Sequence, residues 1–251
     1  MPAKLDRAIN DLVIANRVLA HEQVVDAYGH VSMRHPERPD RFLLSRSRSP
    51  ELVEPGDVME FTMEGEVVGS DKRPPYLERF IHAGIYEKRP DIMAVVHSHA
   101  EGVLPFTISK TPLVPVIHSA GDMGMSAPVW DIGDKFGDTH LLVVNAAQGR
   151  DLAQTFGNGN VALMRGHGFA AGGQSLLMVL RMSVALPKNA SVYMEAMKLG
   201  TPVKPLTAGE VKARLTVMGT HETPATMRAW EYWACRCGCG HLLPGGGPSK
   251  D

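Results

Sequence analysis

The chain has 251 residues, 44% of them hydrophobic and 21% charged, with a formal net charge of −1. That balance fits a globular protein with one large core and excludes the strongly basic surface that draws nucleic acid or anionic membrane. No apolar run is long enough to span a bilayer, and MPAKLDRAINDLVIANRVLA at the N-terminus interrupts its apolar positions with charges where a secretory leader would be continuous, so the expectation is a soluble, cytoplasmic protein.

Leu5, Ile9, Leu12, Val13 and Asn16, with the stripe continuing to Leu19, have the spacing of a first helix. AYGHVSMRHPERPDRFLLSRS reads as two antiparallel strands joined through PERPD, and DVMEFTMEGEVVGS as a second strand pair turning at Glu64-Gly65. YLERFIHAGIYEKRP predicts a helix with Leu77, Phe80, Ile81, Gly84 and Ile85 on its packed face, ended by Pro90. IMAVVHSH is a buried strand, and AEGVLPFTIS starts another helix, with Glu101 in its first turn. LVPVIHSA and HLLVVNA read as further strands, the second leading to a helix from Gln148 to Phe156. NVALMRGHGFAAGG is strand, tight turn and strand, and SLLMVLRMSVALPKNASVYMEAMKLG is a long helix interrupted at Pro187. Beyond Pro202, AGEVKARL and ATMRAWEYWACR predict short helices and LLPGGGPSKD a disordered tail. Runs of strands with helices between them predict an α/β domain with a mostly antiparallel central sheet, helices on both sides and a peripheral C-terminal helical segment.

VVHSHAEG, residues 95–102, raises the question of a metal. Residues i and i+2 of a strand share a face, so His97 and His99 point the same way; taken alone, the pair reads more readily as a strand accident than as a metal site. ALMRGHGFAAGG places a third imidazole, His167, between two glycines that let a ligand or backbone come close. Three imidazoles would make an open metal site. Glu78 sits on the helix just before VVHSH, as either a solvated charge, a carboxylate ligand or an acid/base. His82, one turn on, reads as a packing or hydrogen-bonding residue behind the site. The three cysteines, Cys235, Cys237 and Cys239, have C-x-C-x-C spacing before His241. That is not the C-x-x-C of zinc knuckles, and the odd count argues against a disulfide framework, leaving a structural or incidental role.

Glu78 with its following E-x7-Y-x2-R-P-D to Asp91, the AVVHSH strand, the later GHG, and Gly29-His30-Val31-Ser32 after the first helix together resemble the class II aldolase and adducin family, over about residues 5–200. The resemblance implies a three-layer α/β fold, with a catalytic domain over 1–205 followed by a C-terminal helical extension and tail over 206–251. It also implies a divalent metal held by His97, His99 and His167, with Glu78 as metal-proximal ligand and acid/base. A homotetramer with active sites between neighbouring subunits is implied too.

The chain departs from the family's sugar-phosphate aldolases at the phosphate-holding positions. His30 stands where they have Asn, Tyr76-Leu77 where they have paired serines, and Ser45-Arg46-Ser47-Arg48-Ser49-Pro50 where they have a T-P-T-G loop. Arg46 and Arg48, with Arg73 nearby, offer guanidinium forks suited to a carboxylate, the alternative being solvated loop charges. His30, Ser45, Arg46, Ser47, Arg48 and Tyr76 are therefore the candidate substrate-binding residues. The pattern resembles the decarboxylase branch of the family. It implies loss of CO2 from a hydroxylated pyridine or benzene dicarboxylate, with 3-hydroxy-2-methylpyridine-4,5-dicarboxylate of vitamin B6 breakdown the favoured member. Hydroxyl and carboxylate would chelate the metal, which stabilises the enolate left by CO2, and Glu78 or His118 would protonate the carbon. Three imidazoles and a carboxylate leave the ion open; the decarboxylase branch favours Mn2+ and the aldolases Zn2+. Other readings are an aldolase cleaving a hydroxy-oxo acid, an adducin-like binding module and a non-haem iron oxygenase. Tyr193, Trp230 and Trp233 either pack or cover a neighbour's pocket.

Overall fold

The N-terminal stripe builds α1 (Lys4–His21), which buries Leu12, Val13, Ile14, Val18 and Leu19. Two short strands follow, β1 (His30–Arg34) and β2 (Arg41–Ser45), then β3 (Val58–Thr62). α2 (Arg79–Lys88) leads into β4 (Ala94–Ser98), whose residues are all buried. The middle of the chain carries α3 (Leu104–Thr107), β5 (Val129–Trp130), α4 (Gly133–Phe136) and α5 (Ala146–Thr155). β6 (Val161–Met164) and β7 (Gly168–Gly173) form a hairpin, and α6 (Leu176–Lys198), α7 (Ala208–Met218) and α8 (Pro224–Arg236) complete the chain. This is a computed structural model; it describes residues 3–218 and 222–246.

The seven strands lie in the order β3-β2-β1-β4-β7-β6-β5, antiparallel throughout except for β5 against β6. The sheet separates two cores. On one face, Val31, Leu43, Ala94 and Val96 pack with α1, α6 and α8, including Trp230 and Ala234. On the other, Phe42, Leu44, Phe61 and Val95 pack with Ile81 and Ile85 of α2 and Leu152 and Ala153 of α5. The fold is therefore the three-layer, mostly antiparallel α/β arrangement expected. Because neighbours on a strand face opposite sides, His97 follows Val95 to the α2 side, and Ala94, Val96 and Ser98 serve the other core.

Several elements differ from expectation. The second arm of DVMEFTMEGEVVGS makes one isolated bridge, Phe61 to Val67, and no strand. LVPVIHSA also forms no strand, because Pro112 and Pro115 each lack the N–H a ladder needs, and only Leu113 bridges, to Ala127. HLLVVNA is an irregular segment with Leu141 in the left-handed region at φ 65, so the sheet edge is taken by β5, which sequence reasoning missed. Leu77, expected on the packed face of α2, is 64% exposed because the helix begins only at Arg79. α6 runs uninterrupted through Pro187. Trp230 is buried against α1, Trp233 packs on the same core, and Tyr193 stacks on Phe106 at 5.6 Å, so all three take part in packing within the chain. The cysteines are free thiols around the end of α8. Of the tail, Leu242 closes a 3₁₀ turn, Gly240–Leu242, and residues 247–251 lie outside the described residues. Among the described residues, no helix is long and apolar enough to cross a membrane.

α2 and α5 cross at a pair of glycines. A Cβ on Gly149 would overlap the Phe80 carbonyl, and one on Gly84 would overlap the backbone of Gly149. Backbone cannot yield as a flexible side chain can. Gly149→Ala is therefore expected to destabilise the protein by about 2–3 kcal/mol, read as a lower melting temperature in calorimetry, whereas an alanine at Gly56, with nothing near its Cβ, should leave the melt unchanged.

Candidate metal centre and active site

Four side chains meet at the end of β4 on the α2 side. Glu78, His97, His99 and His167 each offer one ligand atom, all within 4.8 Å of one another. His97 comes from β4 and His99 from just beyond it. His167 comes from the β6–β7 turn, and Glu78 stands at the N-cap of α2 rather than inside the helix. The turn reaches the strand because Gly168 has no side chain: a Cβ there would overlap the Ser98 carbonyl. His99 Nε2 lies 3.1 Å from His97 Nε2 and 3.0 Å from His167 Nε2, and the His99 and His167 rings stack at 4.9 Å.

The ring tautomers follow from what stands behind each imidazole. His97 Nδ1 is 3.0 Å from the Phe169 carbonyl, and His167 Nδ1 is 3.0 Å from the Leu141 carbonyl. A carbonyl only accepts, so both rings donate through Nδ1 and turn an Nε2 lone pair inward. Glu78 Oε2 faces the same atoms, 3.4 Å from His97 Nε2 and 3.5 Å from His167 Nε2. Its Oε1 accepts the Val143 N–H at 3.0 Å. Burial raises the Glu78 carboxyl, but the neighbouring His97 and His167 outweigh it and hold the group well below the usual carboxylate range. Burial, then the charges His97 and His167 would carry, lower His99 to about 4. Converging lone pairs, an ionised carboxylate and too few protons to bridge them fit a divalent cation.

His30 is buried beside this centre. Its ring is 5.1 Å from His97 and 4.5 Å from Tyr76, centroid to centroid. Burial, followed by the neighbouring His82 and His97, holds its pKa well below the ordinary histidine value. His30 Nδ1 meets His82 Nε2 at 2.6 Å, and His82 Nδ1 meets Ser32 Oγ at 2.6 Å, so His82 belongs behind the site as expected. Tyr76 carries the site on to the loop: its hydroxyl accepts from Ser45 Oγ at 3.3 Å and donates to the Arg48 carbonyl. Ser45 and Tyr76 thus brace the loop with hydroxyls already engaged, and Ser47 is exposed.

The arginines are not free forks. Arg46 Nε lies 2.7 Å from Asp57 Oδ1, Arg48 Nη1 3.3 Å from Asp57 Oδ2, and Arg73 Nη1 3.8 Å from Asp57 Oδ1. Arg73 is also paired with Asp71 at 2.6 Å. Three guanidiniums against two carboxylates leave one positive charge in excess, a weaker attraction for an anion than an unpaired cluster but a better ordered one. Sequence reasoning missed Asp57; its P-G-D setting, a polar residue in a turn, was the available signal. It missed as well Leu141 and Val143, whose backbone groups anchor His167 and Glu78, because the segment reads as a strand. His118 is the exposed first residue of a 3₁₀ turn, His118–Met123, and is not among the groups gathered at the centre.

A match to the Class II Aldolase and Adducin N-terminal domain covers residues 10–194. The chain belongs to the class II aldolase and adducin family. Decarboxylase tropJ of Talaromyces stipitatus is 33% identical to it over 93% of this chain and 94% of that protein. The 3,4-dihydroxyphthalate decarboxylase of Arthrobacter keyseri is 25% identical over 90% of this chain and 92% of its own length. These near-full-length relatives put the chain among the carboxy-lyases of the class II aldolase family. An aldolase II superfamily protein from Pseudomonas syringae superposes with a TM-score of 0.77 at 18% identity, covering 94% of both chains, which shows the fold alone.

Removing an inward imidazole should be far costlier than removing a remote one. His167→Ala is expected to lower divalent-metal affinity by more than the ~10–100-fold typical of supporting residues, and His118→Ala by less than about twofold, measured by metal analysis after dialysis.

Proposed function

We propose that the protein is a divalent-metal-dependent, non-oxidative decarboxylase of a hydroxylated aromatic dicarboxylate. The observation that carries this is the pairing of a carboxylate-and-imidazole cluster with a neighbouring arginine loop. A dication on Glu78 and neutral imidazoles keeps one positive charge in excess, and the Asp57-braced arginines keep another, so the two sites together complement a substrate with two carboxylates. His97, His99, His167 and Glu78 would hold the ion. When bound, a divalent ion supplies a Lewis acid that stabilises negative charge on an oxygen next to the carbon losing CO2.

The chain's own groups handle the proton and the orientation. Glu78 enters ionised, so it first accepts: it takes the proton of the ring hydroxyl and delivers it to the carbon bearing the departing carboxylate. The electron pair of the breaking C–C bond flows into the ring and onto the former hydroxyl oxygen as CO2 leaves. Arg46 and Arg48, fixed by Asp57, hold the carboxylate that remains. His118 is exposed, so Glu78 is the favoured proton carrier. We include Mn2+ in the reading, because a chelating substrate added to four protein donors suits a six-coordinate ion better than tetrahedral zinc. The family resemblance adds a cytoplasmic homotetramer with sites between subunits.

The test is CO2 release from 3,4-dihydroxyphthalate and 3-hydroxy-2-methylpyridine-4,5-dicarboxylate with Mn2+ present; release from neither, by metal-loaded protein, would sink the proposal. Glu78→Gln is expected to cut kcat about 10²–10⁴-fold. Full turnover in a fully metallated Glu78→Gln protein would remove Glu78 from the proton path. Arg46→Ala should raise KM roughly 10–100-fold with a smaller change in kcat, since a charge-assisted hydrogen bond to the retained carboxylate is lost in ground and transition states alike.

A further inference from the structure

A buried chain of hydrogen bonds runs away from the metal centre through four side chains on β1 and α2. It starts at His30, passes to His82 Nε2 at 2.6 Å, from His82 Nδ1 to Ser32 Oγ at 2.6 Å, and ends at Tyr86 Oη, 2.8 Å from Ser32. His82, Ser32 and Tyr86 are at most 1% exposed, and His30 retains 3%. Decarboxylation as described above gives His82, Ser32 and Tyr86 no task. Such a row of buried polar groups must be satisfied at every joint, so the direction in which it donates is a physical question with one answer.

The far end decides the direction. Tyr86 is 1% exposed, so its phenol proton must find an acceptor inside the protein. Among the described residues, Ser32 Oγ is the acceptor within reach of the Tyr86 proton. Ser32, having accepted, gives its own proton to His82 Nδ1. A neutral His82 must then carry its hydrogen on Nε2 and donate to His30 Nδ1. Neither ring has a carboxylate in hydrogen-bond contact, and both are buried, which keeps them neutral. Running the chain the other way would leave the Tyr86 hydroxyl donating to nothing inside the protein.

We infer that Tyr86, Ser32 and His82 are positioning residues that lock His30 in the Nε2–H tautomer, making it a fixed hydrogen-bond donor to a substrate carboxylate beside the metal centre. No partner among the described residues meets His30 Nε2, and the ring lies between His97 and Tyr76, that is, between the metal cluster and the arginine loop. A donor at that place distinguishes a carboxylate or phenolic oxygen from a group that only donates. Unlike a side-chain amide, which carries donor and acceptor on one freely flipping end, a locked imidazole presents only a donor. The inference rests on the proposed carboxylate substrate for the ligand, but not for the tautomer.

Two readouts separate these parts. Nitrogen-15 histidine NMR of zinc-loaded protein, zinc being diamagnetic, should show a pyridine-type Nδ1 and a pyrrole-type Nε2 for His30. Tyr86→Phe and Ser32→Ala should each make the His30 signals a mixture of tautomers. Binding of phthalate, a dicarboxylate that cannot react, should weaken roughly 10–100-fold in His30→Leu and recover most of that in His30→Gln, whose amide N–H reaches the Nε2 position. In Tyr86→Phe, phthalate affinity should fall about two- to tenfold, tracking the fraction of the donor tautomer. An Nδ1–H tautomer in the unmodified protein overturns the inference, and so does His30→Leu binding phthalate as well as the parent. The expected tautomer and phthalate binding in a protein that releases no CO2 would uphold the inference and overturn the proposed reaction instead.

Discussion

Gly168 lies against the Ser98 carbonyl, and that contact determines how near the β6–β7 turn can come to the end of β4. His167 precedes the glycine and His97 and His99 flank the serine, so one close approach of two backbones brings three imidazoles within about a hydrogen bond's reach of each other. The rings do not choose this arrangement. Left alone, inward lone pairs repel, and they are held in place by the carbonyls of Phe169 and Leu141 behind them. Leu141 adopts a left-handed backbone conformation that a leucine rarely tolerates, and it is the Leu141 carbonyl that anchors His167. Strain at one loop residue and crowding at one glycine are thus both spent on the same cluster.

Electrostatics extend the arrangement outward. Burial opposes ionisation of Glu78, but His97 and His167 face one carboxylate oxygen and hold the group well below the usual carboxylate range, while a backbone N–H donates to the other oxygen. Further out, Asp57 plays a comparable part for Arg46 and Arg48, trading some attraction for an anion against a fixed geometry. Between the two lie His30 and Tyr76, uncharged rings in contact. With a divalent cation in the cluster, the site would have two positive ends and a neutral middle, a pattern that complements a substrate with two carboxylates.

Much of the frame was legible in the chain. Period-two alternation in VVHSH and period-3.6 spacing in α1, α2 and α6 are properties of single segments, and they survive folding because both faces of the sheet are buried. The four cluster residues were readable for the same reason, since each lies in or beside such a segment. What stayed hidden depends on partners remote in sequence. Asp57 matters through Arg46, Arg48 and Arg73, and Leu141 through a carbonyl whose direction no side-chain pattern reveals. HLLVVNA has the apolar content of a strand and is pulled into irregular backbone by the groups it must present to His167 and Glu78. Ser32 and Tyr86 look like ordinary strand and helix residues until β1 and α2 are laid together.

β4 serves both layers of the molecule with alternate residues: Val95 and His97 belong to the α2 side, and Ala94, Val96 and Ser98 to the side of α1 and α6. Side-chain substitutions along it can be absorbed one layer at a time. A single-residue insertion or deletion cannot, because it exchanges the two faces at once, turning His97 toward the aliphatic core and a valine toward the imidazoles. The helical layers around β4 can therefore change without moving the cluster, while the register of these few residues against β1 and β7 cannot.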